Sequence, residues 1–200
     1  MAYSVLGRLG CSILVLIIIA LYGCGDAIVN TMEVEQGLIF SEVYLHNPDS
    51  ETNWLEVCNA SDQAMTLTFF RPSHISTPNI LPREVLFEPD DVLIICADED
   101  QFTTNWGDEF QLLEINELSW LIDGGFIVLG TGYLGDTGVD GFNYGNTLIT
   151  EEQAEWFGEQ ALDFLTDGKS WSRYIVKTPD KVEVTAYIQT TPTPGTIISY

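Results

Sequence analysis

Short apolar or alternating segments, separated by polar turns, run along most of the chain from Leu38 onward. Residues 65–69 alternate strictly, with methionine, leucine and phenylalanine on one side and threonines on the other, and residues 92–97 form a continuous apolar run. Alternation indicates a strand with one buried face, whereas a short continuous apolar run is consistent with a strand buried on both faces. Many short strands with turn residues between them indicate an all-β sandwich.

The same pattern predicts strands throughout the chain. They cover residues 38–45, 54–58, 65–69, 84–87, 92–97, 110–115, 118–122, 126–129, 139–144, 171–176 and 182–189. The polar pair Asn116-Glu117 separates two of these strands, so we expect residues 110–115 and 118–122 to form a hairpin.

One segment has the period of a helix. Apolar side chains repeat at helical spacing from Ala154 to Leu165. Thr150 and Gln153 have the spacing of a capping box, in which each side chain bonds the backbone of the other. The sequence therefore predicts one helix over residues 150–165, inserted among the strands.

The first 23 residues differ from the rest of the chain. After Arg8 comes an apolar run that is short for a bilayer span and has the length of a signal-peptide core. It ends in Leu21-Tyr22-Gly23-Cys24, which resembles the lipobox of bacterial lipoproteins, where the cysteine is diacylated and becomes the new N-terminus. We expect a signal peptide over residues 1–23, a lipid anchor on Cys24 and a tether over residues 24–36. A secretory signal cut elsewhere and an uncleaved anchor are the alternatives.

Charge limits the possible partners. The chain has 30 acidic and 7 basic residues, for a net charge of −23, yet 46% of its residues are hydrophobic. That apolar content supports a core, so the composition is not that of a disordered chain. A surface this negative repels phosphate backbones, which argues against nucleic acid as a partner. It suits solubility in high salt or the binding of cations.

Two of the four cysteines lie beyond the leader, Cys58 and Cys96, each on a predicted strand. A disulfide between them would close a loop of about 40 residues, and such bonds typically contribute about 2–4 kcal/mol. We expect this disulfide in an exported protein. The alternative is two buried thiols that are too far apart, because bonding needs Cα atoms within about 7 Å. A zinc site lacks the required ligand spacing.

Four motifs lie in order between residues 37 and 197. They are Glu42 together with Trp54-Leu-Glu56-Val-Cys-Asn59, Glu88-Pro-Asp-Asp91 before the apolar run, Asp167-Gly-Lys-Ser170-Trp-Ser-Arg173, and Thr193-Pro194-Gly195. Their order and spacing resemble those of the lamin tail domain, an immunoglobulin-like β-sandwich. The third motif is similar to the family's Gly-x-Ser-x-x-Arg segment, and the fourth to its closing Thr-Pro-Gly. The asparagine that usually follows the closing motif is missing here, and the predicted helix is an insertion.

The resemblance implies one lamin-tail-like domain over residues 37–198. It implies a non-catalytic module that serves attachment or interaction on an exported protein, with a protein or glycan of the cell envelope as partner and no cofactor. The motif residues are then structural. Glu42 and Glu56 are expected to accept hydrogen bonds from a neighbouring turn or from Arg173.

Two acidic groups offer candidate calcium ligands. Asp98-Glu99-Asp100 follows a predicted strand, and Asp136 and Asp140 lie in a glycine-rich segment. Calcium takes six to eight oxygen ligands and could use either group. Aspartates that favour turns explain both groups without a metal. A calcium-dependent adhesion or glycan-binding module is therefore the second functional hypothesis.

Catalysis has little support in the sequence. Residues 163–170 resemble a phosphate-binding loop, but Asp163 replaces its first glycine. Residues 168–172 resemble a nucleophile elbow, but Ser172 stands where a glycine is needed. His46 and His74 lie in polar loops without an evident carboxylate partner, so a hydrolase is the last-ranked hypothesis.

Overall fold

The computed structural model describes residues 31–34, 37–45, 51–76, 79–121, 124–131, 137–151, 153–154, 161–165, 168–177 and 182–197. The predicted signal peptide, Cys24 and Asp136 lie outside these ranges. In the described residues the strands are β1 Thr31–Val34, β2 Leu38–Tyr44, β3 Trp54–Asn59, β4 Met65–Leu67, β5 Phe69–Pro72, β6 Val85–Phe87, β7 Val92–Cys96, β8 Leu112–Glu114, β9 Gly124–Thr131, β10 Thr137–Gly145, β11 Ala161–Leu162, β12 Ser170–Ser172, β13 Ile175–Lys177, β14 Val182–Thr185 and β15 Ile188–Thr190. The helices are α1 Glu99–Trp106 and a 3-10 helix, Asn116–Trp120.

The strands form a β-sandwich, as the apolar pattern predicted. A six-stranded sheet has the order β15-β12-β2-β3-β7-β8, and a four-stranded sheet has the order β11-β10-β9-β5. The main core joins alternate residues of the first sheet, such as Phe40 and Val57, to residues of the second, such as Ile127 and Phe142. The Phe40 and Phe142 rings meet edge to face with centroids 5.1 Å apart. A three-stranded sheet, β1-β14-β13, and the pair β4-β6 complete the fold.

The second face of the six-stranded sheet is also covered, so β2 and β3 are buried at every position. At one end Ile39 and Cys58 pack against Ile175 and Val184 of the three-stranded sheet. At the other end Phe102 of helix α1 packs with four residues of the sheet, which are Tyr44, Trp54, Ile94 and Cys96. The pair Glu42 and Glu56 lies between these two apolar clusters along the strands.

Helix α1 begins where the sequence had suggested a calcium loop. The Asp98 side chain accepts a hydrogen bond from the Gln101 amide at 2.8 Å, which is an N-cap, and Glu99 and Asp100 occupy the first turn. Acidic side chains there interact favourably with the helix dipole. Phe102 packs on Trp54, and this contact holds the helix against the sheet.

Three predictions for the regular elements are wrong in part. The described residues 110–121 do not form the predicted hairpin. Strand β8 pairs in parallel with β7, and a 3-10 helix stands where the second strand was expected. The tether is shorter than predicted, because Thr31–Val34 pairs with β14 and the folded unit begins at Thr31. The predicted strands 171–176 and 182–189 are each split in two. Within the first the chain passes from the six-stranded sheet to the three-stranded sheet, and within the second it returns to the six-stranded sheet.

The helix predicted over residues 150–165 is confirmed at its start and wrong at its end. The Thr150 amide donates to Gln153 Oε1 at 2.9 Å, and the Gln153 amide donates to Thr150 Oγ1 at 3.2 Å, so the capping box is formed. Ala161–Leu162 is strand β11 beside β10, with Leu162 in the main core. The helical spacing therefore fails at that end because sheet pairing and core burial prevail there. Residues 155–160 lie outside the described ranges.

Candidate functional site

The most unusual feature of the described structure is a pair of buried glutamates on neighbouring strands. Glu42 of β2 lies directly opposite Glu56 of β3, and their exposed fractions are 2% and 0%. Like charges directly opposite on paired strands are destabilising, so this pair needs compensation. The register shifts between Phe40 and Glu42, which makes Ser41 the extra residue of a β-bulge.

Glu42 accepts hydrogen bonds from two parts of the C-terminal third of the chain. The Ser170 hydroxyl donates to its Oε1, and the Thr193 amide donates to the same atom at 3.1 Å. Thr190 Oγ1 lies within hydrogen-bonding distance of the Ser170 and Ser172 hydroxyls, at 3.1 and 2.5 Å. A small network of hydroxyl groups therefore surrounds this carboxylate.

Glu56 accepts from the bulge and from the end of the chain. The Ser41 hydroxyl donates to its Oε1 at 2.5 Å, and the Gly195 amide donates to its Oε2 at 2.6 Å. Gly195 has a φ of +77°, and a Cβ atom there would lie 2.6 Å from the Phe110 ring. Glycine suits this position on both grounds, since it adopts positive φ without strain and adds no side chain.

The environment of the pair favours protonated carboxyl groups. Burial raises the pKa of Glu56 to about 7, although the hydrogen bonds from Ser41 and Gly195 partly oppose this. Burial also raises the pKa of Glu42, against the hydrogen bonds from Ser170 and Thr193. Within the described residues the ion pairs are Arg173–Asp140 and Lys177–Asp90, so neither glutamate has a cationic partner there. Near neutral pH Glu56 is therefore partly protonated.

Arg173 does not contact the glutamates, contrary to one of the two expectations. Its Nη1 lies 2.9 and 2.8 Å from the two carboxylate oxygens of Asp140, and its guanidinium stacks on the Tyr187 ring at 4.0 Å from the centroid. The Phe40 amide also donates to Asp140, at 2.8 Å. The other expectation, hydrogen bonds from a neighbouring turn, is correct, because Thr193 and Gly195 supply them.

Asn59 connects two of the four sequence motifs. Its side-chain amide donates to the carbonyl oxygens of Gln63, Phe87 and Glu88, at 2.7, 3.3 and 3.2 Å. Its Oδ1 accepts from the Ser61 amide at 3.0 Å. One side chain thus fixes both the turn after β3 and the turn that leads into β7.

Replacing Asn59 with alanine is expected to lower the free energy of unfolding by about 1–3 kcal/mol, because buried carbonyl groups lose their donor. Urea unfolding of the two proteins measures this loss. A matched control is Gln63→Ala, since that side chain is exposed and its contribution to this network is its backbone carbonyl. Equal stability of the Asn59 variant and the wild type would contradict a structural role for this residue.

The predicted disulfide between Cys58 and Cys96 is wrong, because both residues are free, buried thiols. They lie on paired strands, but Cys58 is opposite Val92 and Cys96 is opposite Trp54. Four residues of strand separate the two positions, about 14 Å at 3.4 Å per residue, well beyond bonding distance.

We expect Cys58 and Cys96 to resist thiol reagents in the folded protein and to react after unfolding. Burial raises the pKa of both thiols, to about 12 for Cys96, so little thiolate forms near neutral pH. Mass spectrometry of labelled peptides, with and without denaturant, measures this difference. If the unlabelled protein gained about 2 Da on reduction, a disulfide would instead be indicated.

The calcium candidates that lie in the described residues have roles within the fold. Asp98 caps α1, Glu99 and Asp100 form its first turn, and Asp140 pairs with Arg173. In the described part of the chain, no group of three or more His, Cys, Asp or Glu side chains is arranged to hold a metal ion. The glutamate pair is also unsuited to a cation, because backbone N–H groups point at both carboxylates.

The remaining sequence candidates have structural positions. Trp54 stacks on Tyr44 with the ring planes 7° apart, and Pro194 lies between the two amides that bond the glutamates. His74 lies in the turn after β5, with its Nδ1 3.1 Å from the Tyr144 hydroxyl. His46 lies outside the described residues. Sequence reasoning missed Ser41 and Tyr187, since nothing in the sequence signals a bulge or a cation–π contact.

Comparison with protein-family models, curated proteins and solved structures finds no match to this chain. The similarity to the lamin tail domain therefore stays a prediction made from the four motifs. In the part of the chain that the structure describes, no helix has both the length and the apolar character needed to span a membrane.

Proposed function

We propose that this protein is a non-catalytic interaction module, held at the bacterial cell envelope by lipid on Cys24. The observation that carries the proposal is that its chemically active side chains are buried and bonded within the fold. Glu42 and Glu56 accept hydrogen bonds from the chain's own hydroxyl and amide groups, and Arg173 and Asp140 bond each other. Side chains used in this way stabilise a scaffold, and their hydrogen bonds within the fold make these four residues poorly placed to act as general acids or bases on a substrate.

The partner is a protein or a glycan of the envelope. Trp120 is 58% exposed and Leu148 is 93% exposed. Exposed tryptophans are frequent energetic centres of binding surfaces. The net charge of −23 disfavours nucleic acid and anionic lipid head groups as partners.

The intact mass of the protein extracted from native membranes tests the proposed lipid anchor. A chain that begins at Cys24 and carries acyl groups is the expected result, and a Cys24→Ser variant should lose the acyl mass and the membrane association. A wild-type chain that is cut elsewhere and carries no lipid would overturn the lipid anchor and make this a secreted module.

The interaction is tested by photo-crosslinking in cells from position 120, with position 101 as the matched control because Gln101 is also exposed. Adducts with an envelope protein or glycan from position 120, and none from position 101, are expected. Turnover of ester or phosphoester substrates that a Glu56→Gln substitution abolishes would overturn the non-catalytic assignment. A rise in melting temperature with calcium would favour the calcium-dependent alternative.

A further inference from the structure

The end of the chain covers the glutamate pair. Residues 193–195, here termed the closing turn, donate one backbone amide to each carboxyl group, from Thr193 to Glu42 and from Gly195 to Glu56. Both residues are outside the strands, and Gly195 is exposed. The closing turn is therefore attached by contacts with the two acids, whereas its neighbours in the sheet are attached by strand pairing.

The groups that face the pair are nearly all uncharged. Strand β2 contributes the Ser41 hydroxyl, β12 those of Ser170 and Ser172, β15 that of Thr190, and the closing turn the hydroxyl of Thr193. The titratable neighbour on β3 is the Cys58 thiol, which also interacts with Lys177 and Asp140. Among the described residues, no cation forms an ion pair with either carboxyl group.

We propose that the closing turn is a proton-dependent latch, which is docked on the sheet while one of the two carboxyl groups is protonated and which opens when both are ionised. Opening exposes the two carboxylates to water, where ionisation is unopposed. The closed state instead holds two negative charges on adjacent strands away from solvent, without a cation. The ionised pair therefore favours the open state, by linkage between proton binding and conformation.

The size of the effect follows from Glu56. Its pKa is about 7 when the turn is closed, against an ordinary value of 4.5 when the carboxyl group is in water. The ratio of closed to open molecules should then fall about 70-fold between pH 5 and pH 8. Hydrogen bonds from the two amides reduce this effect and are already included in the raised pKa.

Hydrogen exchange of the full chain tests the latch directly. Because Pro192 and Pro194 have no N–H group, residues 192–195 contain only the two amide hydrogens that bond the glutamates. Their protection, corrected for the intrinsic effect of pH on exchange, should fall about 70-fold from pH 5 to pH 8, while amides of β3 and β7 stay protected. Protection of the closing turn that does not change with pH, or that changes equally in β3, would overturn the proposal.

Two variants separate the latch from general loosening of the domain. Glu56→Gln keeps the shape of the side chain and cannot ionise, so protection of the closing turn should lose most of its dependence on pH. Ser41→Ala removes a hydrogen bond that lowers the pKa of Glu56, so the gap between the closed and open pKa values widens and protection of the closing turn should fall more than in the wild type between pH 5 and pH 8. The Ser41 variant keeps the proposal testable if the glutamine variant does not fold. A fall in protection no larger than that of the wild type, in a folded Ser41 variant, would contradict the latch.

Discussion

Replacing Asp140 with alanine is expected to lower the free energy of unfolding by about 3–5 kcal/mol, because it leaves the charge of Arg173 buried without its partner. Arg173 is 2% exposed and bonds both oxygens of Asp140 through one nitrogen. The substitution also removes the acceptor of the Phe40 amide, which the bulge at Ser41 leaves next to the ion pair. The stacking of Arg173 on Tyr187 remains and cannot replace a full negative charge.

Urea unfolding measures this loss, and the chain offers a matched control. Lys177 and Asp90 form the other ion pair of the described residues, with side chains that are 37% and 69% exposed. Because water solvates and screens such a pair, Asp90→Asn should cost about 0–1 kcal/mol, and asparagine tolerates the φ of +67° at this position. The double variant Asp140→Ala, Arg173→Met should recover part of the loss, since the unpaired charge is then gone. Equal losses for Asp140→Ala and Asp90→Asn would show that burial of the ion pair contributes nothing.

The local pattern of apolar and polar residues was sufficient to locate most of the strands. The apolar run at residues 92–97 and the glycine-flanked segments near residues 126 and 139 correspond to β7, β9 and β10. Hydrogen bonds to Glu42 and Glu56 from a neighbouring turn were one of two expectations, because strand carboxylates need donors, and the closing turn supplies them. These features depend on burial and periodicity, which the order of residue types reveals.

Features that depend on register or on distant pairing were not predictable in the same way. The prediction of a Cys58–Cys96 disulfide was wrong because recognising two strands in the sequence does not show which of their residues lie opposite each other. The register separates the two thiols by four positions. Arg173 pairs with Asp140, which lies on the four-stranded sheet, 33 residues earlier in the chain. Helix α1 was missed because its acidic N-cap and first turn have the composition of a loop.

The stability of the protein should fall as the pH rises through the range from about pH 4.5 to pH 7, and Glu56 should account for a large share of the change. The folded protein holds the pKa of this group at about 7, above the ordinary value of 4.5 that applies after unfolding. Between these values the folded state binds more protons than the unfolded state, so the free energy of unfolding decreases with pH. The shift corresponds to about 3 kcal/mol, fully present below pH 4.5 and lost once the pH exceeds the folded pKa.

Urea unfolding of the wild type and of Glu56→Gln across this range measures the contribution as a difference. The many exposed acidic groups repel one another in both proteins, so their effect on stability largely cancels and the remaining pH dependence belongs to Glu56. The control variant Glu88→Gln changes an exposed carboxyl group and should follow the wild type. A constant difference in unfolding free energy between wild type and Glu56→Gln at every pH would mean that Glu56 ionises normally in the folded protein. The hydrogen bonds from Ser41 and Gly195 would then fully offset the cost of burying its charge.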